Sequence, residues 1–150
     1  MEELKATGDY KQFIVIKLGE EQYGIDIKYI ENIVRMQHIT RVPKVDSYLK
    51  GVINLRGEVI PVMSIRIKMG LEPDQETKSS RIIILKLGMN GLIGIIVDEV
   101  KEVVTLESDQ IEKIAYDSKD DKDSFLCGVG KCAGGLISLL DLNSVVLENL

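Results

Sequence analysis

GVINLRGEVIPV, residues 51–62, is the stretch that decides the fold. Two aliphatic runs flank Arg56, Gly57 and Glu58, and short β-forming runs on either side of a glycine are typical of a β-hairpin. The stretch therefore predicts two antiparallel strands joined by a tight turn. It also raises the question of what an arginine at the start of that turn faces.

The hairpin is part of an internal repeat that runs through the chain. Glycines and aliphatic residues of the first half recur in the second half in the same order, at a separation that grows from 69 to 77 residues. A repeat in which glycines align together with apolar residues indicates one structural unit used twice. The matched segments are residues 17–19 with 86–88, Gly24 with Gly94, residues 51–52 with 128–129, and residues 57–65 with 134–142.

Composition favours a mainly β fold of two similar units. Hydrophobic residues make up 45% of the 150 residues, and aromatic residues only 5%, so isoleucine, valine and leucine must fill the core. Each half, residues 11–80 and 81–150, carries about five short strands, which is the pattern of a small β-barrel. Because so small a unit buries little core alone, we expect two barrels packed around a shared core, with a groove between them. We expect residues 1–10 to form a flexible tail, residues 117–124 a solvated loop and residues 141–150 a C-terminal helix.

Charge and segment length exclude several classes of partner. The net charge of −5 argues against nucleic acid and against docking on anionic lipid, since both require a basic face. The longest uncharged stretch around the apolar segments, residues 87–97, is well short of the ~20 residues that span a bilayer. The N-terminus lacks the apolar region of a secretory signal, so Cys127 and Cys132 are interpreted as reduced cytosolic thiols rather than a disulfide or a zinc site.

The residue types that enzymes use for chemistry form no recognisable pattern here. The only histidine, His38, lies in a predicted strand, and no serine or cysteine stands in a nucleophile motif. No phosphate-binding glycine loop is present, and the adjacent carboxylates Asp98 and Glu99 would point to opposite faces of a strand. The sequence therefore predicts no catalysis, no metal site and no cofactor, and it favours a protein–protein binding module.

Local patterns predict two short helical segments. Three isoleucines recur at helical spacing after Asp26, which is a predicted N-cap, so we expect a short helix or turn there and then a strand over residues 34–42. Beyond the 51–62 hairpin, Ser64 is predicted to cap a short helix over residues 65–69. The three isoleucines are Ile27, Ile30 and Ile33.

Four segments resemble the CheW-like domain family of bacterial chemotaxis coupling proteins. They read FIVIKLGEEQYGIDIKYIENIVR from Phe13, ITRVP from Ile39, GVINLRGEVIPVMSIRIKMG from Gly51 and IIVDEVKEVV from Ile95. The resemblance covers nearly the whole chain, and the Asn-Leu-Arg-Gly run at residues 54–57 is its most specific part. It implies two five-stranded SH3-like β-barrels around a shared hydrophobic core, without enzymatic activity or a cofactor.

The resemblance implies that the protein is a scaffold. Proteins of this family link the cytoplasmic tip of transmembrane chemoreceptors to the regulatory domain of the histidine autokinase CheA, which has the same fold. A chain that ends at Leu150 fits a stand-alone coupling protein that is cytoplasmic, recruited to receptor arrays and a monomer when isolated. Two alternatives stay open: the same fold as an adaptor in a different receptor–kinase pathway, and a small hydrolase or metal enzyme, for which no polar cluster can be assembled.

Two sets of contact residues follow from the resemblance. In the family the receptor tip docks in the groove between the barrels, and the kinase faces the region of the hairpin. The alternative for the receptor set is that all of it is buried core, the commoner fate of aliphatic residues at helical spacing. The receptor set is Ile27, Ile30, Ile33 and Val100. The kinase set is Val42, Val45, Gly51, Arg56 and Gly57.

Two positions within or near these sets have particular interpretations. The repeat puts Ala133 where Arg56 stands, so the hairpin backbone does not require an arginine. Arg56 is therefore a contact at a partner surface, or it has a structural role only. In the second case it is an exposed turn residue or a brace that donates hydrogen bonds to backbone carbonyls of the loop. Asn32 replaces an acidic residue expected in some relatives, so no charge contact is predicted at that point.

Overall fold

The computed structural model describes residues 10–88, 91–113 and 125–147. These ranges hold a short helix α1 (Ile65–Lys68), two 3₁₀ turns (Ile27–Tyr29 and Ser108–Gln110), a π-helical turn (Asn143–Leu147) and β-strands. The strands are β1 (Tyr10–Leu18), β2 (Glu21–Asp26), β3 (Ile30–Arg35), β4 (Leu49–Leu55), β5 (Glu58–Ser64), β6 (Arg81–Lys86), β7 (Leu92–Val97), β8 (Glu99–Glu107), β9 (Ile111–Lys113), β10 (Leu126–Cys132) and β11 (Gly135–Leu140). The predicted tail, apart from Tyr10, lies outside the described residues, as do the predicted loop 117–124 and residues 148–150 of the predicted C-terminal helix.

The strands form two sheets, and each sheet closes on itself. The six-stranded sheet has the order β8-β1-β2-β11-β10-β9, and the five-stranded sheet has the order β3-β6-β7-β5-β4. β8 and β9 are consecutive in the chain and stand at opposite ends of the strand order. Because β9 pairs with β10, the chain segment from β8 to β9 closes the six-stranded sheet. In the five-stranded sheet, β3 and β4 stand at the two ends of the order. The chain that follows β3 closes this sheet at Thr40, which pairs with Val52 in β4. The predicted mainly β fold of two packed sheets is therefore confirmed.

Neither sheet is built from one half of the repeat. The β1–β2 hairpin joins strands β8 to β11 of the second half, and the β6–β7 hairpin joins β3 to β5 of the first half. The prediction that each half folds into its own barrel is therefore wrong, because the halves exchange their first hairpins. Each exchanged hairpin is held by a parallel strand pair, in which Gly24 lies opposite Leu139 and Gly94 opposite Val62.

Each exchanged hairpin has a glycine where a side chain would clash, against β11 of the other half at Gly24 and against β6 of its own hairpin at Gly94. A Cβ on Gly24 would lie 2.8 Å from Leu139 Cδ2, and a Cβ on Gly94 would lie 2.8 Å from Ile82 Cγ2. These two glycines match each other in the sequence repeat. The repeat therefore marks the two places where one half docks onto the other.

The exchange buries β1 and β6 on both faces. Alternate residues of each strand enter either the interior of one sheet or a core shared by the two sheets. Complete burial of one such aliphatic side chain contributes roughly 1.5–3 kcal/mol, so these two strands carry much of the stability. Inside a sheet lie Phe13, Val15, Ile82 and Ile84, and in the shared core lie Ile14, Ile16, Ile83 and Leu85.

The predicted helix after Asp26 is only one turn long. Asp26 Oδ1 accepts a hydrogen bond from the Lys28 N–H at 3.0 Å, so the predicted N-cap is confirmed. The chain then enters strand β3 at Ile30, because pairing with β6 overrides the helical spacing and the β-branched isoleucines suit a strand. The predicted strand over residues 34–42 is also wrong. β3 ends at Arg35, where its pairing with β6 ends, and the chain crosses to β4 at Thr40.

The short helix after β5 is as predicted. Ser64 is fully buried, and its Oγ accepts a hydrogen bond from the Ile67 N–H at 3.1 Å. The Ser64 hydroxyl also donates to the carboxylate of Asp74, so a segment beyond the helix folds back over the end of the five-stranded sheet. The predicted cap is therefore confirmed, and it has a second role in closing that end.

An ion pair links the two sheets near the shared core. Arg66, in α1, donates from Nε to Asp98 Oδ1 at 3.0 Å, and Asp98 Oδ2 accepts from the Gly19 N–H at 2.7 Å. Arg66 follows β5 of the five-stranded sheet, whereas Gly19 lies in the β1–β2 turn of the six-stranded sheet. Asp98 itself occupies the bend between β7 and β8. Partial burial raises the pKa of this carboxyl, but the hydrogen bonds from Arg66 and Gly19 outweigh burial and leave the pKa below its ordinary value.

The substitution Asp98→Asn should lower the free energy of unfolding by about 2 kcal/mol at neutral pH, since it removes a charged acceptor. A carboxyl with a depressed pKa stabilises the fold above its unfolded pKa of about 4, and this contribution is lost as pH falls through the folded pKa. Urea unfolding at a series of pH values measures both effects. The wild type should lose stability below about pH 4 more steeply than the variant. Parallel pH curves, or an equal effect of the control Asp109→Asn, would contradict this role.

Candidate interaction surfaces

The four residues predicted to bind the receptor lie along the exposed margin of the shared core. All four are half-buried, and each packs against the cluster that both sheets share. Each of the four therefore has an inner part in contact with the core, as the buried-core alternative expects, and an exposed part that a partner can reach. The aliphatic margin, as this set is called here, comprises Ile27, Ile30, Ile33 and Val100.

Strand pairing fixes where the aliphatic margin lies. Ile30 and Ile33 in β3 stand opposite Leu85 and Ile83 of β6, both fully buried in the shared core. Val100 in β8 stands opposite Ile16 of β1, which is fully buried in the same core. The margin thus draws on both sheets.

Val103 extends the aliphatic margin, and the sequence did not single it out as a contact. It lies opposite Ile14, a member of the shared core, and is 53% exposed. A bulge in the β1–β8 pairing between Val15 and Ile16 brings Val100 and Val103 onto one face although they are three residues apart. In a regular strand, residues three apart point to opposite faces, so the sequence alone would separate Val100 from Val103. The observed register of β1 and β8 shows that they share a face.

Asn32, beside the aliphatic margin, carries no charge contact. Its Oδ1 accepts a hydrogen bond from the Ile33 N–H at 2.8 Å, so the side chain is engaged with its own strand. Where an acidic residue was expected, the aliphatic margin is therefore flanked by a neutral amide that is hydrogen-bonded to its own strand.

The β4–β5 hairpin ends in a two-residue turn with left-handed backbone at both positions. Leu55 pairs with Glu58, and between them φ is +55° at Arg56 and +85° at Gly57. These values belong to a type I′ turn, whose twist matches that of the strands. The Asn54 Oδ1 accepts from the Gly57 N–H at 3.1 Å, so the asparagine side chain braces the turn.

Arg56 is an exposed turn residue and does not brace the loop. Within the described part of the chain its guanidinium makes no hydrogen bond and no ion pair. The bracing interpretation is therefore wrong, since Asn54 already performs that role. Left-handed backbone at a residue other than glycine costs roughly 1 kcal/mol. An arginine at this position is therefore less favourable for the backbone than a glycine would be. The matching hairpin has no left-handed residue at Ala133.

The predicted kinase residues do not form one cluster. Thr40 lies antiparallel to Val52, which places Val42 and Val45 toward the start of β4, whereas Arg56 and Gly57 lie beyond its end. The strand between these places spans roughly 20 Å at the usual rise. Gly51 is buried, with Thr40 directly over it. Gly51 therefore shapes the sheet and offers no side chain to a partner.

Each hairpin tip also carries an exposed aliphatic residue outside the two predicted contact sets. Val59 is 62% exposed and lies opposite Asn54, next to Arg56. Leu136 is 63% exposed at the matching place in β11. Both occupy the outward face of a strand whose other face is buried, and alternation along residues 58–62 is the signal that could have found Val59.

The described residues offer no constellation for chemistry. In residues 10–88, 91–113 and 125–147, no three histidine, cysteine, aspartate or glutamate side chains are grouped so as to hold a metal ion. Within the same ranges, no helix is both long and apolar enough to cross a membrane. What the surface does offer is aliphatic side chains at two separate places.

The chain is similar to known proteins over both of its sheets. The model of the CheW-like domain matches residues 12–149. The chemotaxis protein CheW of Bacillus subtilis is 34% identical over 93% of this chain and 88% of its own length, and that of Thermotoga maritima is 31% identical over 92% and 90%. The crystal structure of the scaffolding protein TtCheW from Thermoanaerobacter tengcongensis has a TM-score of 0.83 and 32% identity, covering 93% of this chain and 94% of that one.

Proposed function

Because the chain belongs to the CheW-like domain family, and is therefore a non-catalytic chemotaxis scaffold, we propose that it couples transmembrane chemoreceptors to the histidine autokinase CheA. The observation that carries this proposal is the family match over residues 12–149, which includes both sheets. The protein acts in the cytoplasm, as a monomer until it is recruited to receptor arrays. Its contribution is binding alone.

The receptor binds at the aliphatic margin. A helical receptor tip presents apolar residues along one face, and a row of half-buried aliphatic side chains is the complementary surface for such a face. The assignment is supported by the presence of the margin in both sheets, with Ile30 in β3 and Val100 in β8, because a groove between the sheets is lined from both sides. The neutral Asn32 beside it makes this contact mainly apolar.

The kinase binds at the tip of the β4–β5 hairpin. Val59, exposed beside the turn, supplies an apolar anchor, and Arg56 supplies a cation with no partner in the described chain. A conformational penalty held at an exposed residue is a feature of functional sites, which supports a contact role for Arg56. Of the predicted set, Val42 and Val45 are exposed enough to join this contact from the other end of β4.

Separate surfaces allow both partners to bind at once. A scaffold that holds the receptor and the kinase together raises the effective concentration of one at the other. Information then passes as a coupling free energy between the two sites, without any chemical step.

The substitution Arg56→Ala tests the kinase contact. We expect its unfolding free energy to stay within about 0.5 kcal/mol of the wild type, because the guanidinium has no partner within the described fold. Its affinity for the kinase regulatory domain should fall about tenfold, as for an interface arginine. Isothermal titration calorimetry measures the affinity, and denaturant unfolding measures the stability.

The matched control for Arg56→Ala is Lys131→Ala in the β10–β11 hairpin, another exposed cation near a hairpin turn. It should leave kinase affinity unchanged. Unaltered kinase affinity in Arg56→Ala, or an equal loss in Lys131→Ala, would remove Arg56 from the proposed contact.

A further inference from the structure

A cavity of about 880 Å³ opens at one end of the six-stranded sheet. Its apolar lining includes Phe13 and Leu139, which belong to the interior core of that sheet, and Leu142, which belongs to the shared core. All three are at least nine-tenths buried. None of the nine residues predicted for receptor or kinase contact lines the cavity. It lies apart from the β4–β5 hairpin tip and adjoins the aliphatic margin at the first 3₁₀ turn, where Ile27 precedes Lys28. Its size is that of a site for a small organic molecule.

Three lysines surround the opening. Lys11 comes from β1, Lys28 from the first 3₁₀ turn and Lys113 from the end of β9. Within the described residues, neither Lys11 nor Lys113 forms an ion pair, and the Lys28 ammonium lies 5.1 Å from the centre of the Tyr29 ring. The three lysines outnumber the two carboxylates of the lining, whereas acidic residues outnumber basic ones in the whole chain.

Two aspartates also line the cavity, and both are already engaged. Asp26 accepts from the Lys28 N–H at 3.0 Å, and Asp141 accepts from the Ser144 hydroxyl at 3.1 Å. Their carboxylates therefore serve as caps for the turns that shape the opening. The cationic groups of the lining are the three lysine ammonium groups, and the hydroxyls of Tyr10, Tyr29 and Ser108 add further hydrogen-bond donors.

The matching end of the five-stranded sheet is covered by a chain segment. The repeat matches Asp141 with Ser64, which is fully buried and bonded to Asp74 from a segment folded over that end. Ser80, next to β6, is also buried there. Among the described residues of the six-stranded sheet, no segment covers Asp141 in this way, since Asp141 keeps an exposed part and lines the cavity.

We propose that this cavity, the anion pocket, binds a small organic anion with an apolar body, such as an aliphatic carboxylate or an aromatic sulfonate. The apolar body lies against Phe13 and Leu139, and the anionic group meets Lys28 and Lys113 at the rim. This binding is independent of the proposed coupling function, because the pocket shares no residue with either partner surface. The ligand is free in solution or is the carboxylate end of a peptide, and both have the same chemistry at the rim.

Anilinonaphthalene sulfonate is a direct probe of the anion pocket in the full chain. We expect saturable fluorescence enhancement with a single site. The double variant Lys28→Gln, Lys113→Gln should weaken binding by about 25-fold, from about fivefold for each ion pair. The control Lys86→Gln changes an exposed lysine on β6 outside the pocket and should bind as the wild type does. Equal affinity in the double variant and the wild type would overturn the proposal.

Competition defines the chemistry of the ligand. Octanoate should displace the probe, whereas octanol, with the same chain and no charge, should displace it much less. Octanoate and a peptide that ends in leucine, each with a free carboxylate, represent the two sources of the ligand, and the one that displaces the probe at the lower concentration identifies the source. Equal displacement by octanol and octanoate would reduce the site to an apolar cavity and overturn the anion assignment.

Cys127 provides an independent readout, because it lines the anion pocket whereas Cys132 does not. Burial raises the pKa of the Cys127 thiol, and Asp141 raises it further, so alkylation with iodoacetamide requires mildly alkaline pH. Octanoate should slow alkylation of Cys127 and leave that of Cys132 unchanged, as followed by mass spectrometry. Equal rates at Cys127 with and without octanoate would contradict binding in this cavity.

Discussion

Replacing Gly51 by alanine should destabilise the protein by about 4 kcal/mol, because the added Cβ has no room and the backbone conformation is unfavourable. That Cβ would lie 2.1 Å from the Thr40 carbonyl oxygen and 2.7 Å from its carbon. The φ of +143° is rare for any residue with a side chain. To relieve the clash, Thr40 must move away from Val52, which breaks two backbone hydrogen bonds of 2.8 and 2.9 Å. Urea unfolding measures the loss.

Gly57→Ala is the matched control for Gly51→Ala. Gly57 also has a positive φ, but a Cβ there would meet nothing within 4 Å. Its substitution should therefore cost only the conformational penalty of roughly 1 kcal/mol. If the two substitutions cost the same, Gly51 is not the position that closes the five-stranded sheet. Because Gly51 is buried, we also expect any loss of kinase binding in Gly51→Ala to follow from the loss of folding.

The second large effect is expected for Ile30→Glu, which should weaken binding of the receptor tip by about 30-fold or more, as for the loss of an interface anchor. A carboxylate in the middle of an apolar contact must lose its water without gaining a partner. Because Ile30 is only half-buried, the folded state can keep the glutamate in contact with solvent. Kinase binding should therefore survive. Fluorescence anisotropy with a labelled receptor-tip fragment measures the first effect and calorimetry with the kinase domain the second.

Two controls accompany Ile30→Glu. Glu31→Gln changes an exposed neighbour on β3 and should leave both affinities as they are. Val100→Glu places the same charge on the other sheet and should weaken receptor binding in the same way. If Ile30→Glu lowers both affinities together with the melting temperature, Ile30 is a core residue and the aliphatic margin is not the receptor surface.

The sequence predicted the two-sheet fold but not which strands share a sheet. Gly24 and Gly94 were correctly matched, and the structure shows that each allows a parallel strand to approach. The exchange of hairpins could not be predicted, because strand pairing between distant segments leaves no periodic pattern in either segment. Its trace is present in β1 and β6, whose runs of aliphatic residues do not alternate. Runs of this kind are typical of strands buried on both faces.

The candidate surfaces were predictable to different degrees. The family resemblance indicates Ile27, Ile30, Ile33 and Val100, and the structure packs all four, half-buried, against the shared core, whereas their contact with a receptor is a proposal. Val103 was missed because a bulge changes the periodicity of β8. Val59 could have been predicted from the alternation along β5, whose outward face includes it. The helical spacing of the isoleucines gave the wrong element beyond Tyr29, since pairing with β6 decides that segment.

Formation of a ternary complex is the most direct test of the central claim that this scaffold binds the receptor and the kinase on separate surfaces. Sedimentation velocity ultracentrifugation of the full chain with a receptor-tip fragment and the CheA regulatory domain, at micromolar concentrations, resolves the species. The proposal predicts one species with the summed mass of all three components, which Ile30→Glu reduces to the complex of scaffold and kinase. Failure of both partners to bind, or displacement of one by the other, would contradict it.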